Sequence, residues 1–315
     1  MKKYKPDSFA EYQELSDSFM DFEFSSIEIK PSIDYLKFSI SFIDLPSRNV
    51  SDYLKENGFE ITRSYPDGGD ATITNIQAQI SIGGKWYGLF CKVVPKCFRT
   101  TFRMVDPDKN FFNHMFGMMY YPYVLSEVEY SLDFHGCDNG EMFSFLASHG
   151  NLKKPGNLFT VDEYDYPPTQ YFNNVRDTNQ VGCKVYIKEK EALVFVRLEV
   201  SIKQRQFRVL GIDSLFGATQ VTADEVFRKL QIQAFDFENF LKNLGIQGYE
   251  YQDFEQDIMG AMNGNANCGG LTAVKKMAEA FKPNPAYYFK THPFQDAFHS
   301  AIKNMTFVPS GAVTD

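Results

Sequence analysis

Tryptophan occurs once in the 315 residues, and no apolar run approaches the length of a membrane span. Even the stretch from Phe9 to Phe24 is broken by acids throughout. The expectation is therefore a chain with no membrane association. Its start, "MKKYKPDSFAEY", is basic but has no apolar stretch behind it, so no secretory leader is read there. Cysteine is scarce and odd in number: Cys91, Cys97, Cys137, Cys183 and Cys268 are scattered along the chain. Reduced thiols in a cytoplasm fit that pattern better than a disulfide framework does. "CKVVPKC" has the wrong gap for a zinc knuckle, "GGKW" lacks the rest of a nucleotide-binding P-loop, and "GNANCGG" matches no dinucleotide fingerprint. Positive charge is also in deficit. A net charge of −8 argues against a protein that coats nucleic acid nonspecifically.

What is abundant is phenylalanine (31) and tyrosine (18), with 43% hydrophobic residues, enough for a sizeable core. Residues 1–30 read as an acidic extension, helical around Ala10 to Asp21. "YLKFSISFID" alternates as a strand, and "SDYLKENG" reads as a short helix capped by Ser51 and stopped at Gly58. Gly83-Gly84 separates two alternating runs, a hairpin signal. Residues 98–123 are rich in Phe, Met and Tyr without clear period and fit either a loop or a buried helix. "SEVEYSLDFHG" is a further strand and Glu141 to His149 a helix. "TQYFNN", "VGCKVYIK" and "LVFVRLEVSIK" are three more strands. The order predicts an α+β domain over 31–211, a mainly antiparallel sheet backed by helices in a split-βαβ arrangement. Beyond 212 the pattern becomes mostly helical, with a capping box at "TADE" (222–225), a broad apolar face from Val226 to Leu244, and a Gly/Asn-rich insertion at 260–270.

Three strands carry the candidate chemistry. In "EVEYSLDFH", Glu129, Ser131, Asp133 and His135 share one face. In "KVYIK", Tyr186 lies between Lys184 and Lys188. In "VRLEVSIK", Arg197, Glu199, Ser201 and Lys203 share a face, expected to be exposed. If the strands are neighbours, Asp133, Glu199 and His135 could hold a divalent ion beside a tyrosine hydroxyl, and hard oxygen ligands with one imidazole suit Mg²⁺ or Mn²⁺. The solvated face of an ordinary antiparallel sheet satisfies the same alternation. Residues 184–208 also hold seven Lys/Arg against three Glu, which makes Lys184, Lys203, Arg205 and Arg208 candidate DNA contacts. Tyr171, Tyr164 and Tyr166 are alternative nucleophiles. His114, His149, His292 and His299 stand alone and read as packed or surface histidines.

"LVFVRLEVSIKQRQFRVLGIDSLF" resembles a segment of the replication initiators of filamentous phages, in which an Arg-apolar-Glu strand precedes a basic, apolar segment ending in Gly-apolar. "TQYFNNVRDTNQVGCKVYIKEKE" is similar to the segment of that family ending in an apolar-Tyr-apolar-Lys strand. "VEYSLDF" and "YLKFSISFID" occupy the places of two earlier strands. The order agrees over roughly residues 35 to 217, and the Tyr-x-Lys and Arg-x-Glu pairs are shared with rolling-circle plasmid initiators of the Rep-trans type. The basic residue that usually stands two before the strand aspartate is Ser131 here, and the His-x-His pair of the wider HUH nucleases is absent. Asp133-x-His135 occupies a comparable place.

The resemblance implies a nicking–joining enzyme that cuts one strand of origin DNA and stays attached through tyrosine. It later closes the displaced circle. Such an enzyme acts on single- and double-stranded origin DNA in a bacterial cytoplasm beside a host helicase. By the same resemblance Tyr186 is the nucleophile, accompanied by Lys188, Arg197, Glu199 and Asp133. An inert origin-binding or replication-regulating member is the alternative. A further one is an interaction or virion protein whose polar face only meets solvent or a partner.

Overall fold

The computed structural model describes residues 9–19, 26–41, 49–97, 99–118, 122–152, 160–162, 169–172, 181–190, 192–236 and 289–307. The insertion expected at 260–270, the apolar face beyond residue 236, Tyr164 and Tyr166 lie outside the described residues. The fold is α+β with a large, mainly antiparallel sheet of ten strands. Among the described residues, no helix is long and apolar enough to cross a membrane.

The chain divides into two compact units. The first comprises Pro31–Ser131, Ser201–Thr222 and Thr306–Asp315. It holds β2 (Glu60–Asp67), β3 (Asp70–Ile82), β4 (Lys85–Val94), β5 (Arg99–Val105) and most of β1 (Glu28–Ser41) and β6 (Tyr123–His135), whose residues 28–30 and 132–135 belong to the other unit. They lie side by side in the order β2-β3-β4-β5-β1-β6. Gly83 and Gly84 join β3 to β4 with φ of 60° and 82°, the left-handed pair that a two-residue hairpin turn needs. Helix α2 (Val50–Glu56) begins one residue before the expected cap: Asn49, not Ser51, accepts from the amides of Ser51 and Asp52. It stops at Gly58, whose φ of 83° suits glycine. The aperiodic stretch after residue 98 forms β5 and then α3 (Lys109–Met118). Phe102 and Met104 of β5 and Phe111, Phe112 and Met115 of α3 all enter the core. Phe38 stacks on Phe102 at 5.3 Å, and Tyr87 on Phe111 at 4.9 Å.

The second unit comprises Met1–Lys30, Leu132–Val200 and Ala223–Met305. Helices α1 (Phe9–Ser18) and α4 (Asn139–His149) pack together. Tyr12 stacks on His149 at 4.3 Å, and Phe19 on Phe145 at 4.0 Å. The described part of the acidic N-terminal segment thus contributes apolar side chains to a core. Strands β7 (Gly150–Leu152), β8 (Thr160–Asp162), β9 (Thr169–Tyr171), β10 (Gly182–Lys190) and β11 (Leu193–Lys203) follow α4. The order β6-β11-β10-β9-β8 completes the large sheet.

After β11 come α5 (Gln204–Leu210), α6 (Leu215–Gln220) and α7 (Ala223–Phe227). The helix expected to continue from Val226 is replaced by β12 (Leu230–Phe235), paired with β7 and with β13 (Phe289–Thr291). Over residues 230–234 the buried side chains are Leu230, Ile232 and Ala234, so the period there is two and not 3.6. Helix α8 (Phe294–Ile302) carries Phe294, Phe298 and Ile302 into the core of this unit.

Candidate functional site

Strands β10 and β11 form a hairpin whose turn includes Ala192 at φ 66°. On β10, Val185 and Ile187 are buried on one face, and Lys184, Tyr186 and Lys188 share the other at half-burial. On β11 the alternation misleads. Arg197 and Glu199 are each 1% exposed and Asp133 on β6 is 7% exposed, so the face expected to be open is closed here. Strands β6 and β11 are interior strands of a wide sheet, so side chains of neighbouring strands flank theirs on both sides. Alternation shows which side chains share a face and is silent on what covers it.

Burial of these charges is tolerated because they are matched. The Arg197 guanidinium grips Asp133 as a fork, Nε donating to Oδ1 and Nη2 to Oδ2, both at 2.6 Å. The same guanidinium lies 5.5 Å from the centre of the Phe195 ring. Glu199 takes a different set of partners. Tyr186 Oη donates to its Oε2 at 2.9 Å, and Lys184 Nζ stands 2.5 Å from its Oε1. The Lys184 ammonium is also 5.4 Å from the centre of the Tyr186 ring, a cation–π distance. A phenol, a carboxylate and an ammonium thus form one connected group on adjacent strands. Tyr171 of β9 pairs directly across from Lys184, and Thr169 across from Tyr186. Tyr171 therefore lies on the Tyr186 face, at a diagonal position.

The expected site residues part company here. Tyr186, Lys184 and Glu199 come together, and Asp133 is gripped by Arg197. His135 packs its ring 4.8 Å from that of Phe195. Burial holds the His135 imidazole below its ordinary pKa, Lys30 pushes it further down, and Asp133 and Glu28 oppose. Lys188 is half-buried on the tyrosine's face. Lys203 occupies the N-cap of α5, its amide donating to Gln206 Oε1 at 3.2 Å. Arg205 and Arg208 are exposed on that helix, which belongs to the first unit.

Among the described residues, the acidic group that could hold a metal ion is Asp34, Glu129 and Glu199. Asp133 and His135, expected as ligands with Glu199, are not in it. An all-carboxylate set is the donor chemistry of Mg²⁺ or Mn²⁺. Glu129 was legible as an outward-facing acid on β6. Asp34 was not, because one acid inside an alternating run carries no periodic signal. Comparison with protein-family models and with curated proteins returns no match for the chain.

Proposed function

We propose that the chain is a rolling-circle replication initiator that nicks one DNA strand at an origin through Tyr186 and later rejoins it. The observation that supports this reading is the Tyr186–Glu199–Lys184 group. A free tyrosine has a pKa of about 10 and is a poor nucleophile at neutral pH without help. The phenol already donates its proton toward a carboxylate. In the proposed step Tyr186 Oη attacks the scissile phosphorus, and the Tyr–O–P bond forms as the bond from phosphorus to the 3′-oxygen breaks. The phenolic proton passes to Glu199 as the new bond forms. The departing 3′-oxygen takes a proton from water and leaves as a hydroxyl. Rejoining is the reverse, so the energy of the phosphodiester is kept in the phosphotyrosine and no nucleotide cofactor is consumed. Lys184 fixes the orientation of Glu199. Lys188, on the same face of β10 as Tyr186, is the cation assigned to the phosphoryl charge. Arg197 is a positioning residue that holds Asp133. A divalent ion on the carboxylates Asp34, Glu129 and Glu199 would supply Lewis-acid polarisation of the phosphate. Single- and double-stranded origin DNA and a host helicase are the partners that this activity requires.

The alternative is an inert origin-binding or replication-regulating protein, and the burial of Glu199 at 1% exposure favours it. One experiment separates the two. The full chain is incubated with single-stranded DNA of its own replicon and Mn²⁺, then resolved under denaturing conditions. A covalent protein–DNA adduct is expected for the native chain and for Tyr171→Phe, and none for Tyr186→Phe. Losing a hydrogen bond to the buried Glu199 carboxylate should cost Tyr186→Phe roughly 1.5–3 kcal/mol of stability, so unchanged circular dichroism serves as its fold control. Absence of any adduct with the native chain selects the inert reading. An adduct that survives Tyr186→Phe and disappears in Tyr171→Phe moves the nucleophile to β9.

A further inference from the structure

The first unit carries a second arrangement that the nicking group does not use. Registers across five strands place Arg63, Gln77, Phe90, Arg103 and Lys37 in one continuous row from β2 to β1. The neighbouring row is Tyr65, Asn75, Lys92, Thr101 and Ser39. The intervening positions, among them Ile76, Ala78, Leu89, Cys91, Phe102 and Met104, are buried. These rows therefore lie on the outer face of the sheet. Across four strand gaps each row spans roughly 19 Å.

This face differs from an ordinary solvated one in holding large aromatic rings in the open. Tyr65 is 37% exposed, Phe90 42% and Val105 48%. Tyr35, Tyr65, Phe90, Lys92 and Arg103 are among the residues that line a groove of about 290 Å³ here. The guanidinium of Arg63 lies 4.9 Å from the centre of the Tyr65 ring, holding the ring flanked by positive charge. Lys92 is paired with Asp67 at 2.6 Å, and Lys37 with Glu127 at 3.8 Å. Among the described residues no carboxylate forms an ion pair with Arg63, Arg99 or Arg103. Against the acidic balance of the whole chain, this face offers a local surplus of arginine.

We propose that this outer sheet face binds single-stranded nucleic acid, with bases stacked on Tyr65 and Phe90 and the backbone phosphates held by Arg63 and Arg103. A polyanion with exposed flat apolar rings is the ligand whose chemistry matches both features. Aromatic platforms bind unpaired bases, and arginines follow the backbone between them. Asn75 and Gln77, in the strand between the two rings, carry the donors and acceptors that meet base edges. A paired duplex has its base faces stacked internally and cannot use the rings. The surface needs no phosphotyrosine chemistry, so it stands or falls separately from the nicking reading.

The test is fluorescence anisotropy of the full chain with labelled oligo(dT) and oligo(rU) of about 20 nucleotides, in EDTA so that no cleavage intervenes. A blunt duplex serves as competitor. Tyr65→Ala and Phe90→Ala should each weaken binding by about tenfold, to whichever of the two strands binds. Both side chains are exposed, and unchanged circular dichroism checks the fold. Arg103→Gln should reduce the log–log salt slope by about 0.7, as expected for one phosphate contact on a single strand. Binding of dT alone, rU alone or both, lost in the aromatic variants, supports the proposal and identifies the strand type. Undetectable binding to both strands overturns it. So does binding unchanged in the aromatic variants, or competition by duplex as effective as by single strand.

Discussion

Asp133 and Arg197 form a buried ion pair whose value depends on both partners being present. Each oxygen of Asp133 accepts from one nitrogen of the guanidinium, and Arg197 is 1% exposed. Asp133→Ala would remove the carboxylate to which both Nε and Nη2 of a buried guanidinium donate, a loss of roughly 3–5 kcal/mol. Replacing both residues by apolar ones of similar volume, Asp133→Leu with Arg197→Met, should cost far less, because neither charge is then stranded. Urea unfolding of the single and double variants measures this, and a single-variant loss below about 1 kcal/mol would contradict the forked geometry. The same residues show how far alternation reads. It identified that Asp133 shares a face with Glu129, and Arg197 with Glu199, because a two-residue period fixes the side of a strand. It missed the burial, because cover is supplied by residues distant in sequence. The fork between Asp133 and Arg197 was likewise invisible, since it depends on how two separate strands align.

At the scale of elements, local chemistry was the readable part. Gly83-Gly84 and Gly58 announce their turns, and period announces β3, β4, β6, β9, β10 and β11, which formed where expected, whereas β1 begins at Glu28, seven residues before the expected Tyr35. The N-terminus of α2 was misread by two residues. Ser51 and Asn49 are both good caps, and the choice between them depends on which backbone leaves the extended conformation first. Asn49 has φ −122° and ψ 109°, outside the helix, and its side chain accepts from Ser51 N at 3.0 Å and Asp52 N at 3.4 Å. Asn49→Ala should therefore destabilise the first unit by about 1 kcal/mol, whereas Ser51→Ala should change it by a few tenths at most. Chemical unfolding of the two variants side by side checks the assignment, and equal losses would return the cap to Ser51. Strands β2, β7 and β8 were not anticipated, and β5 and β12 were hidden for two different reasons. The stretch around β5 is so rich in Phe and Met that helix and strand patterns both fit. In β12 the apolar positions Leu230 and Ala234 are four apart, as a helix also requires, and only Ile232 between them reveals the strand.

For the whole molecule the feature with the widest consequence is a pair of buried histidines in the second unit. His149 is 2% exposed and stacks between Tyr12 and Phe145, and His292 is 0% exposed with its ring 5.6 Å from that of His149. Burial pushes the His149 pKa down to about 3, the proximity of His292 adds to this, and the Phe145 carbonyl at Nδ1 opposes it. Burial lowers His292 as well, and Lys290 adds to this. The Ser16 carbonyl and Asp17 work in the other direction. The sign of the pH effect follows from proton counting. Above pH about 6.5 His149 is neutral in both folded and unfolded chains and contributes no pH dependence. As pH falls below that value the unfolded chain takes up a proton that the folded core refuses, so stability falls. The fall from this group ends near pH 3, where the folded imidazole also protonates. Between pH 7 and pH 5 His149 alone should remove roughly 2 kcal/mol from the stability of the unit that contains it. Denaturant unfolding across that window should show the loss in the native chain, and His149→Gln should reduce its slope, with His292 supplying the remainder. A slope unchanged by His149→Gln would mean that the imidazole is protonated or solvated in the folded state, and that the aromatic stack between α1 and α4 is looser than the packing of Tyr12 on His149 indicates.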